Sequence, residues 1–216
     1  MSLKDKQTKL DQIARQVRRC TRCSLYKQAT NPVPGEGSPS AEIMFIGEGP
    51  GYHEDQRGIP FCGAAGKLLD QLLSLIKVAR KDVFIGNMVK HRPPGNRDPL
   101  PDELEACQEY LNGQIRIIDP KVIVTLGRFS MRKFLPGEYI SKIHGQARLV
   151  KFAEKKRIVI PMFHPAAALR SSQIMSQIRE DFKNIPKWLN DKIKEEPAVS
   201  EEKTEANEKE QQLSLI

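Results

Sequence analysis

Three side chains that could take part in hydrogen-bond or proton chemistry follow predicted strands. Glu48 follows the apolar run that begins at Ile43, Asn87 ends the run VFIGN, and His164 comes just after a run ending at Met162. The carboxyl ends of parallel strands meet at one edge of an α/β sheet, so an acid, an amide and an imidazole are expected to converge there, over the ring of Phe61. An aromatic ring, an amide edge and a histidine suit a flat polar heterocycle that develops negative charge.

Taken singly, these residues have more ordinary interpretations. An asparagine at a strand end, such as Asn87, is often a turn or capping residue, and a histidine before proline, such as His164, is more often structural. The hypothesis of a site therefore depends on their convergence.

Cys20 and Cys23 form a C-x-x-C pair at the end of an amphipathic basic helix that carries Leu10, Ile13 and Val17. A thioredoxin-like redox pair would lie between a strand and the following helix, which is not the arrangement here. Two interpretations remain open: the pair is half of a metal site, or its spacing is a coincidence.

The elements that must position these residues alternate along the chain. Helical spacing predicts helices over residues 64–76 and 101–118, from Gly127 through Phe134, and over 178–193 with the sole tryptophan, Trp188. Apolar runs predict strands from Ile43 and over residues 83–88, 122–126, 143–150 and 157–162, while residues 31–41 and 91–101 read as loops. This order predicts a three-layer α/β/α sandwich with a central, mainly parallel four- or five-stranded sheet.

Composition limits the class of protein. The 216 residues are 39% hydrophobic and 29% charged, enough for one sizeable core, and no apolar run is long enough to cross a bilayer. The first residues lack an apolar export signal, so we expect a cytoplasmic protein with four reduced cysteines. Residues 194–216 hold seven glutamates against three lysines, so residues 1–193 carry +12 where the whole chain carries +8. Such a basic body favours a polyanionic partner such as nucleic acid.

Several motifs together resemble the family 4 uracil-DNA glycosylases, the iron-sulfur branch of that superfamily. They are GEGPG from Gly47, Pro60-Phe61, NMVK from Asn87, RPPGNR from Arg92, PLPDE from Pro99 and His164-Pro165. The likeness extends from about Cys20 to Arg170, in the order that the family has.

The resemblance implies an enzyme that flips uracil out of DNA and hydrolyses its N-glycosidic bond during base excision repair. It implies catalytic roles for Glu48 and His164, and uracil contacts for Gly49, Glu54, Phe61 and Asn87. Phe61 would stack on the base, Asn87 would read N3–H and O4, and Glu54 would crowd C5 to exclude thymine. Leu169 would wedge into the base stack and Arg170 would contact phosphate. The best-known uracil glycosylases have an aspartate where this chain has Gly49.

The family also implies a [4Fe-4S] cluster held by four cysteines. Cys20, Cys23 and Cys107 match three of these positions, whereas His91 stands where the remaining cysteine is usual. Imidazole can ligate iron, as in Rieske centres. We therefore expect Cys20, Cys23, His91 and Cys107 as ligands, with Cys62 as the rival fourth ligand, and a stabilising rather than a redox role for the cluster.

The last residues form a separate part. The predicted catalytic domain spans residues 1–193, and residues 194–216 are expected to be a disordered acidic tail. The chain ends Gln212-Leu213-Ser214-Leu215-Ile216, which resembles the bacterial sliding-clamp-binding peptide. We expect a monomer that uses this peptide as a tether.

Two other functions remain open. A histidine at position 91 also resembles the covalent, uracil-trapping relatives, although their basic insertion is absent. A non-catalytic iron-sulfur module that binds nucleic acid, possibly associated with a polymerase, is the other alternative.

Overall fold

The fold was analysed in a computed structural model, which describes residues 1–152 and 154–190. The strands are β1 (Glu36–Gly37), β2 (Ile43–Gly47), β3 (Phe84–Asn87), β4 (Val122–Leu126), β5 (Arg148–Phe152) and β6 (Lys155–Met162). The helices are α1 (Leu3–Arg18), α2 (Tyr52–Arg57), α3 (Ala64–Leu75), α4 (Pro101–Ile118), α5 (Arg128–Phe134), α6 (Ile140–Ile143), α7 (Pro165–Ala168), α8 (Ser172–Lys183) and α9 (Ile185–Asn190). Three short 3₁₀ turns cover Ser24–Lys27, Arg80–Asp82 and Pro94–Asn96.

One six-stranded sheet forms the centre, in the order β1-β3-β2-β4-β6-β5. The four inner strands are parallel, and β1 and β5 pair antiparallel at the two edges. The expectation of four or five strands missed β1, a two-residue strand inside the segment predicted as loop. So short an edge strand has no alternating pattern to detect, and its pairing with β3 is a tertiary contact.

Alternate residues of β2 belong to two different cores. Ile43 and Phe45 pack with α3 and α8, whereas Met44 and Ile46 pack with α1, α4 and α5. Because successive side chains of a strand point to opposite faces, the sheet is covered on both sides. The predicted three-layer α/β/α sandwich is thereby confirmed.

Two predicted elements differ from the structure. The strand placed over residues 143–150 begins only at Arg148, because Ile143 ends α6 and Gly145 turns the chain with φ 72°. The helix placed over residues 178–193 is two helices, α8 and α9, with the break at Asn184. Pro186 cannot donate a backbone hydrogen bond to the preceding turn, which explains why α8 does not continue.

Several predictions concern residues outside the described part of the chain. These are the end of the last predicted helix, the acidic tail over residues 194–216 and the terminal pentapeptide. Within residues 1–152 and 154–190, none of the helices combines the length and apolar character needed to cross a membrane.

Candidate active site

A cavity of about 580 Å³ opens at the carboxyl ends of the parallel strands. Seven of the predicted site residues line it, namely Glu48, Gly49, Glu54, Phe61, Asn87, His164 and Arg170. Leu169 lies outside the lining with 49% of its surface exposed. The strand ends therefore bring together the acid, the amide and the imidazole that the sequence places far apart. We call this cavity the pocket.

The Asn87 side chain is the buried polar group at the base of the pocket. Only 1% of the residue is exposed, and its Oδ1 atom has no hydrogen-bond partner among the described residues. Since leaving a buried acceptor unpaired costs about 1 to 3 kcal/mol, such an atom is expected to be paired in the functional complex. The backbone carbonyl of Asn87 accepts from the Lys90 ammonium at 2.9 Å.

Gly47 makes room for this arrangement. A Cβ atom at position 47 would lie 2.4 Å from Asn87 Oδ1 and 2.7 Å from the Phe61 ring. Any side chain there would therefore displace the amide or the ring. Gly47 is thus required by the pocket itself rather than by a turn.

Phe61 is buried in an unusual backbone conformation. Its φ is 48°, in the left-handed region that costs a residue with a side chain roughly 1 to 3 kcal/mol. The ring stacks on the imidazole of His164, with the centroids 5.6 Å apart and the planes 28° apart. The two rings form one aromatic wall of the pocket.

Glu54 holds the turn that follows Phe61. Its Oε1 accepts from the backbone N–H groups of Cys62 and Gly63, each at 3.1 Å. The predicted role of crowding C5 of a pyrimidine is compatible with this position in the lining, but the carboxylate also has a structural task that the sequence did not reveal.

His164 occupies the N-cap of α7, where its Nδ1 accepts from the backbone N–H of Ala166 at 3.1 Å. Burial lowers the pKa of His164 to about 4, against the opposing effect of Glu54. The imidazole is therefore neutral at neutral pH. Because Nδ1 is an acceptor, the proton resides on Nε2, which leaves one N–H donor for a ligand.

Glu48 lies half-buried at the mouth of the pocket. Burial raises its pKa, the charge of Asp98 raises it further, and Arg128 lowers it. Arg128 and Asp98 form an exposed ion pair, and both line the pocket. A carboxylate with a raised pKa is suited to accept a proton from water or to face a developing cation.

Three cysteines, Cys20, Cys23 and Cys107, form a second neighbourhood outside the lining of the pocket. Cys107 is fully buried and packs with Cys23 in one apolar cluster. Burial raises the pKa of the Cys107 thiol, the Lys90 backbone N–H bonds to it, and the charges of Cys23 and Cys20 also act on it. Cys20 in turn hydrogen-bonds to the Tyr110 hydroxyl.

His91 follows Lys90 directly and is 5% exposed, with its pKa lowered by burial. We call Cys20, Cys23, His91 and Cys107 the cysteine region. The charges acting on the Cys62 thiol are instead those of Glu54, Arg57 and Arg80, beside the pocket. The charge that acts on the His91 imidazole is that of Asp55, so the choice of His91 over Cys62 as the fourth ligand stays a prediction.

Within the described residues, no three His, Cys, Asp or Glu side chains are grouped to hold a single metal ion. A four-iron cluster spreads its ligands farther apart than one ion does. The thiols of Cys20 and Cys107, which are buried, and of Cys23, which is half-buried, together with the His91 imidazole are donors of the type that it takes. The residues present therefore fit an iron-sulfur cluster in donor chemistry.

A family model described as the uracil DNA glycosylase superfamily matches residues 34–189. A type-4 uracil-DNA glycosylase of Sulfurisphaera tokodaii is 50% identical over 82% of this chain and 83% of its own length. Those of Saccharolobus solfataricus and Archaeoglobus fulgidus are 47% identical (85% of this chain, 88% of that protein) and 46% identical (82% and 91%). The chain belongs to the type-4 uracil-DNA glycosylases. The family resemblance is thereby confirmed.

Gly49 stands at the place where the sequence comparison with other uracil glycosylases raised the expectation of an aspartate. A Cβ atom at position 49 would lie 2.8 Å from Cγ2 of Val89, a branched and stiff side chain. An aspartate at position 49 would therefore require the Val89 side chain to move.

Sequence reasoning did not assign Asp98 and Arg128, which line the pocket, or Gly47, which makes room for Asn87 and Phe61, to the site. Gly47 was readable as part of the GEGPG motif, and Asp98 belongs to the proline-rich loop. Arg128 follows β4, whose carboxyl end also faces the pocket. Its place after a parallel strand therefore predicts it as a pocket residue, as it does for Glu48.

Proposed function

We propose that this protein removes uracil from DNA by hydrolysing the N-glycosidic bond and leaving an abasic site. The observation that carries the proposal is the buried amide oxygen of Asn87, which is unpaired within residues 1–152 and 154–190, in a pocket that Phe61 and His164 also line. Membership of the type-4 glycosylases supports the same activity.

The pocket selects uracil through Asn87. A base in a duplex is unreachable, so it must be extruded, at a cost of a few kcal/mol that is smallest for a mispaired base. The amide oxygen of Asn87 accepts from N3–H of the extruded uracil, and its amino group donates to O4. Cytosine has the opposite pattern at both positions, which leaves its groups unpaired. The Phe61 ring stacks on the base.

Bond cleavage relies on the leaving uracil taking the electron pair of the glycosidic bond. The neutral His164 donates its Nε2–H to O2, where the negative charge develops, and its tautomer is already selected by Ala166. Glu48 positions water and stabilises the positive charge that develops on the sugar. One proton leaves the attacking water, and Glu48 accepts it.

Contacts to DNA extend from the pocket mouth. Leu169 is half-exposed beside the lining residue Arg170, which supports a wedge and a phosphate contact side by side. Every residue in this proposal belongs to one chain, so a monomer is a sufficient working unit. The DNA substrate would place the enzyme at the nucleoid, in the cytoplasm.

The cysteine region would hold a [4Fe-4S] cluster through Cys20, Cys23, His91 and Cys107. Such a cluster, when bound, supplies cross-links between α1, the β3 end and α4. Hydrolysis moves no electrons, so the proposed contribution of these four residues is stability.

The terminal Gln212-Leu213-Ser214-Leu215-Ile216 peptide is proposed to bind the bacterial sliding clamp. Replacing Leu213 and Leu215 by alanine in the full chain should abolish clamp binding in a pull-down while leaving uracil excision unchanged. Retained clamp binding by that variant would refute the tether.

The central test uses anaerobically purified full-length protein and a labelled oligonucleotide that contains one uracil. Alkaline cleavage after incubation with substoichiometric protein should reveal several turnovers, and the same oligonucleotide with thymine should stay intact. A protein–DNA adduct that survives denaturation would instead identify a covalent trap. Binding without any abasic product would identify a non-catalytic module.

A further inference from the structure

The conformation of Phe61 requires an explanation in the surrounding structure. A residue with a side chain does not stay at φ 48° unless neighbouring groups fix the peptide planes on both sides of it. The plane before Phe61 carries the Pro60 carbonyl and sets φ. The plane after it carries the Cys62 N–H and sets ψ.

Both planes are held by charged side chains. Glu54 accepts from the Cys62 N–H, as described above. On the other side, the Arg80 guanidinium donates from Nη2 to the Pro60 carbonyl oxygen at 2.6 Å. Gly66 completes the fit, because a Cβ atom at that position would lie 1.6 Å from the Phe61 carbonyl oxygen.

Arg80 is itself fixed by two acids from separate elements. Its Nε and Nη2 donate to Oε1 of Glu36 in β1 at 3.1 and 2.9 Å, and its Nη1 donates to Oδ1 of Asp70 in α3 at 2.9 Å. A guanidinium is planar with donors in a fixed fork, so two acids determine where the donor to Pro60 points. The side chain is only 26% exposed, which protects this geometry from water.

We propose that Arg80 is the positioning residue of the aromatic wall: it holds the Pro60 carbonyl and thereby fixes the Phe61 ring where an extruded uracil stacks. This inference rests on the proposed function. It assigns a role in base recognition to a residue that does not line the pocket. It also explains why the ion pairs of Arg80 with Glu36 and Asp70 extend to the turn at Pro60.

The test compares Arg80→Met with Asp70→Asn in the full-length protein. Arg80→Met keeps the apolar stem but removes every donor, whereas Asp70→Asn weakens one ion pair and leaves the donor to Pro60. Arg80→Met should lower kcat/KM for uracil excision about tenfold, since a misplaced binding group costs catalysis at this scale. It should weaken inhibition by free uracil by a similar factor. Asp70→Asn should stay within about twofold on both measurements.

A double-mutant cycle separates positioning from general stability. In a Phe61→Ala background there is no ring to hold, so adding Arg80→Met should change kcat/KM by less than about twofold. The same tenfold loss in that background would overturn the inference, as would parental kcat/KM and uracil inhibition in Arg80→Met alone.

If Arg80→Met does not fold, the same measurements apply to Arg80→Lys, whose ammonium keeps the charge without the fork. Parental turnover by Arg80→Lys would then overturn the proposal. Absence of excision by the parental protein would overturn the proposed function and this inference together, whereas parental excision with unaffected Arg80 variants would overturn the inference alone.

Discussion

The pocket and the cysteine region lie at the two ends of one short segment, and they are held in different ways. Asn87 begins the segment and His91 ends it, with Lys90 between them contacting both sides: its ammonium bonds to the Asn87 carbonyl, and its backbone N–H bonds to Cys107. The pocket groups are oriented by hydrogen bonds within the chain. The two regions differ in whether they need a bound group to be complete.

In the cysteine region, burial disfavours the thiolate form of the cysteines, which is the form that would bind iron. Burial raises the pKa of the Cys23 and Cys107 thiols, whereas iron binds thiolates. A bound iron-sulfur cluster would offset that cost, so cluster binding and folding would be coupled there. The pocket has no such requirement. We therefore expect changes in the pocket to reduce turnover and changes in the cysteine region to reduce stability.

The largest effect is expected for Asn87→Asp. The carboxylate cannot donate to O4, so uracil excision should fall about 100-fold through the loss of paired buried groups. Initial rates on uracil- and cytosine-containing oligonucleotides would measure it, with Asn184→Asp, an exposed amide at the end of α8, as the control. Unchanged excision would remove Asn87 from base recognition.

Replacing His164 by asparagine should come next. Asparagine can still cap α7, but it does not reproduce the Nε2–H donor, so kcat should fall by about 100-fold or somewhat less. A parental kcat would show that the donor is not used.

His164 also predicts a pH effect on stability. Its pKa is about 4 in the folded state and near 6.5 when unfolded, so the unfolded state binds more protons between these values. The melting temperature should therefore fall as pH decreases from 6.5 to 4, and the fall should be smaller in His164→Asn. Identical pH profiles would contradict the buried neutral imidazole.

Glu48 should have an intermediate effect on rate and a diagnostic one on pH dependence. Glu48→Gln should lower kcat about tenfold, below the roughly 100-fold or more usual for a general base, because leaving-group stabilisation by His164 carries more of the catalysis. The carboxylate is the active form, so activity rises as Glu48 ionises. Arg128→Met should move this acid limb of kcat/KM to higher pH, and Asp98→Asn should move it to lower pH. Two shifts of the same sign would contradict the arrangement.

The smallest effect on turnover is expected for His91. His91→Ala should lose iron and cluster absorbance and melt at a lower temperature, while kcat at low temperature stays within about threefold, because no electron is transferred. His91→Cys should retain iron, and Cys62→Ala should match the parental protein. Full iron content in His91→Ala would remove the imidazole from the ligand set.

The amino-acid sequence by itself determined the layers and the acid, the amide and the imidazole that the pocket brings together. Buried strands such as β4 and amphipathic helices such as α3 are encoded by local periodicity, and α4 and β4 were predicted with the bounds that the structure has. Asn87 and His164 could be placed because strand ends in a parallel sheet share one edge.

Only the tertiary structure determined the orientation and the protonation of the pocket residues. The Nε2–H tautomer of His164 depends on Ala166, and the φ of Phe61 depends on Glu54 and on Arg80, which follows Phe61 by nineteen positions. Orientation and protonation arise from contacts between elements and from burial, and neither produces a periodic pattern in the sequence. Residue types therefore identify the chemistry, and packing determines its geometry.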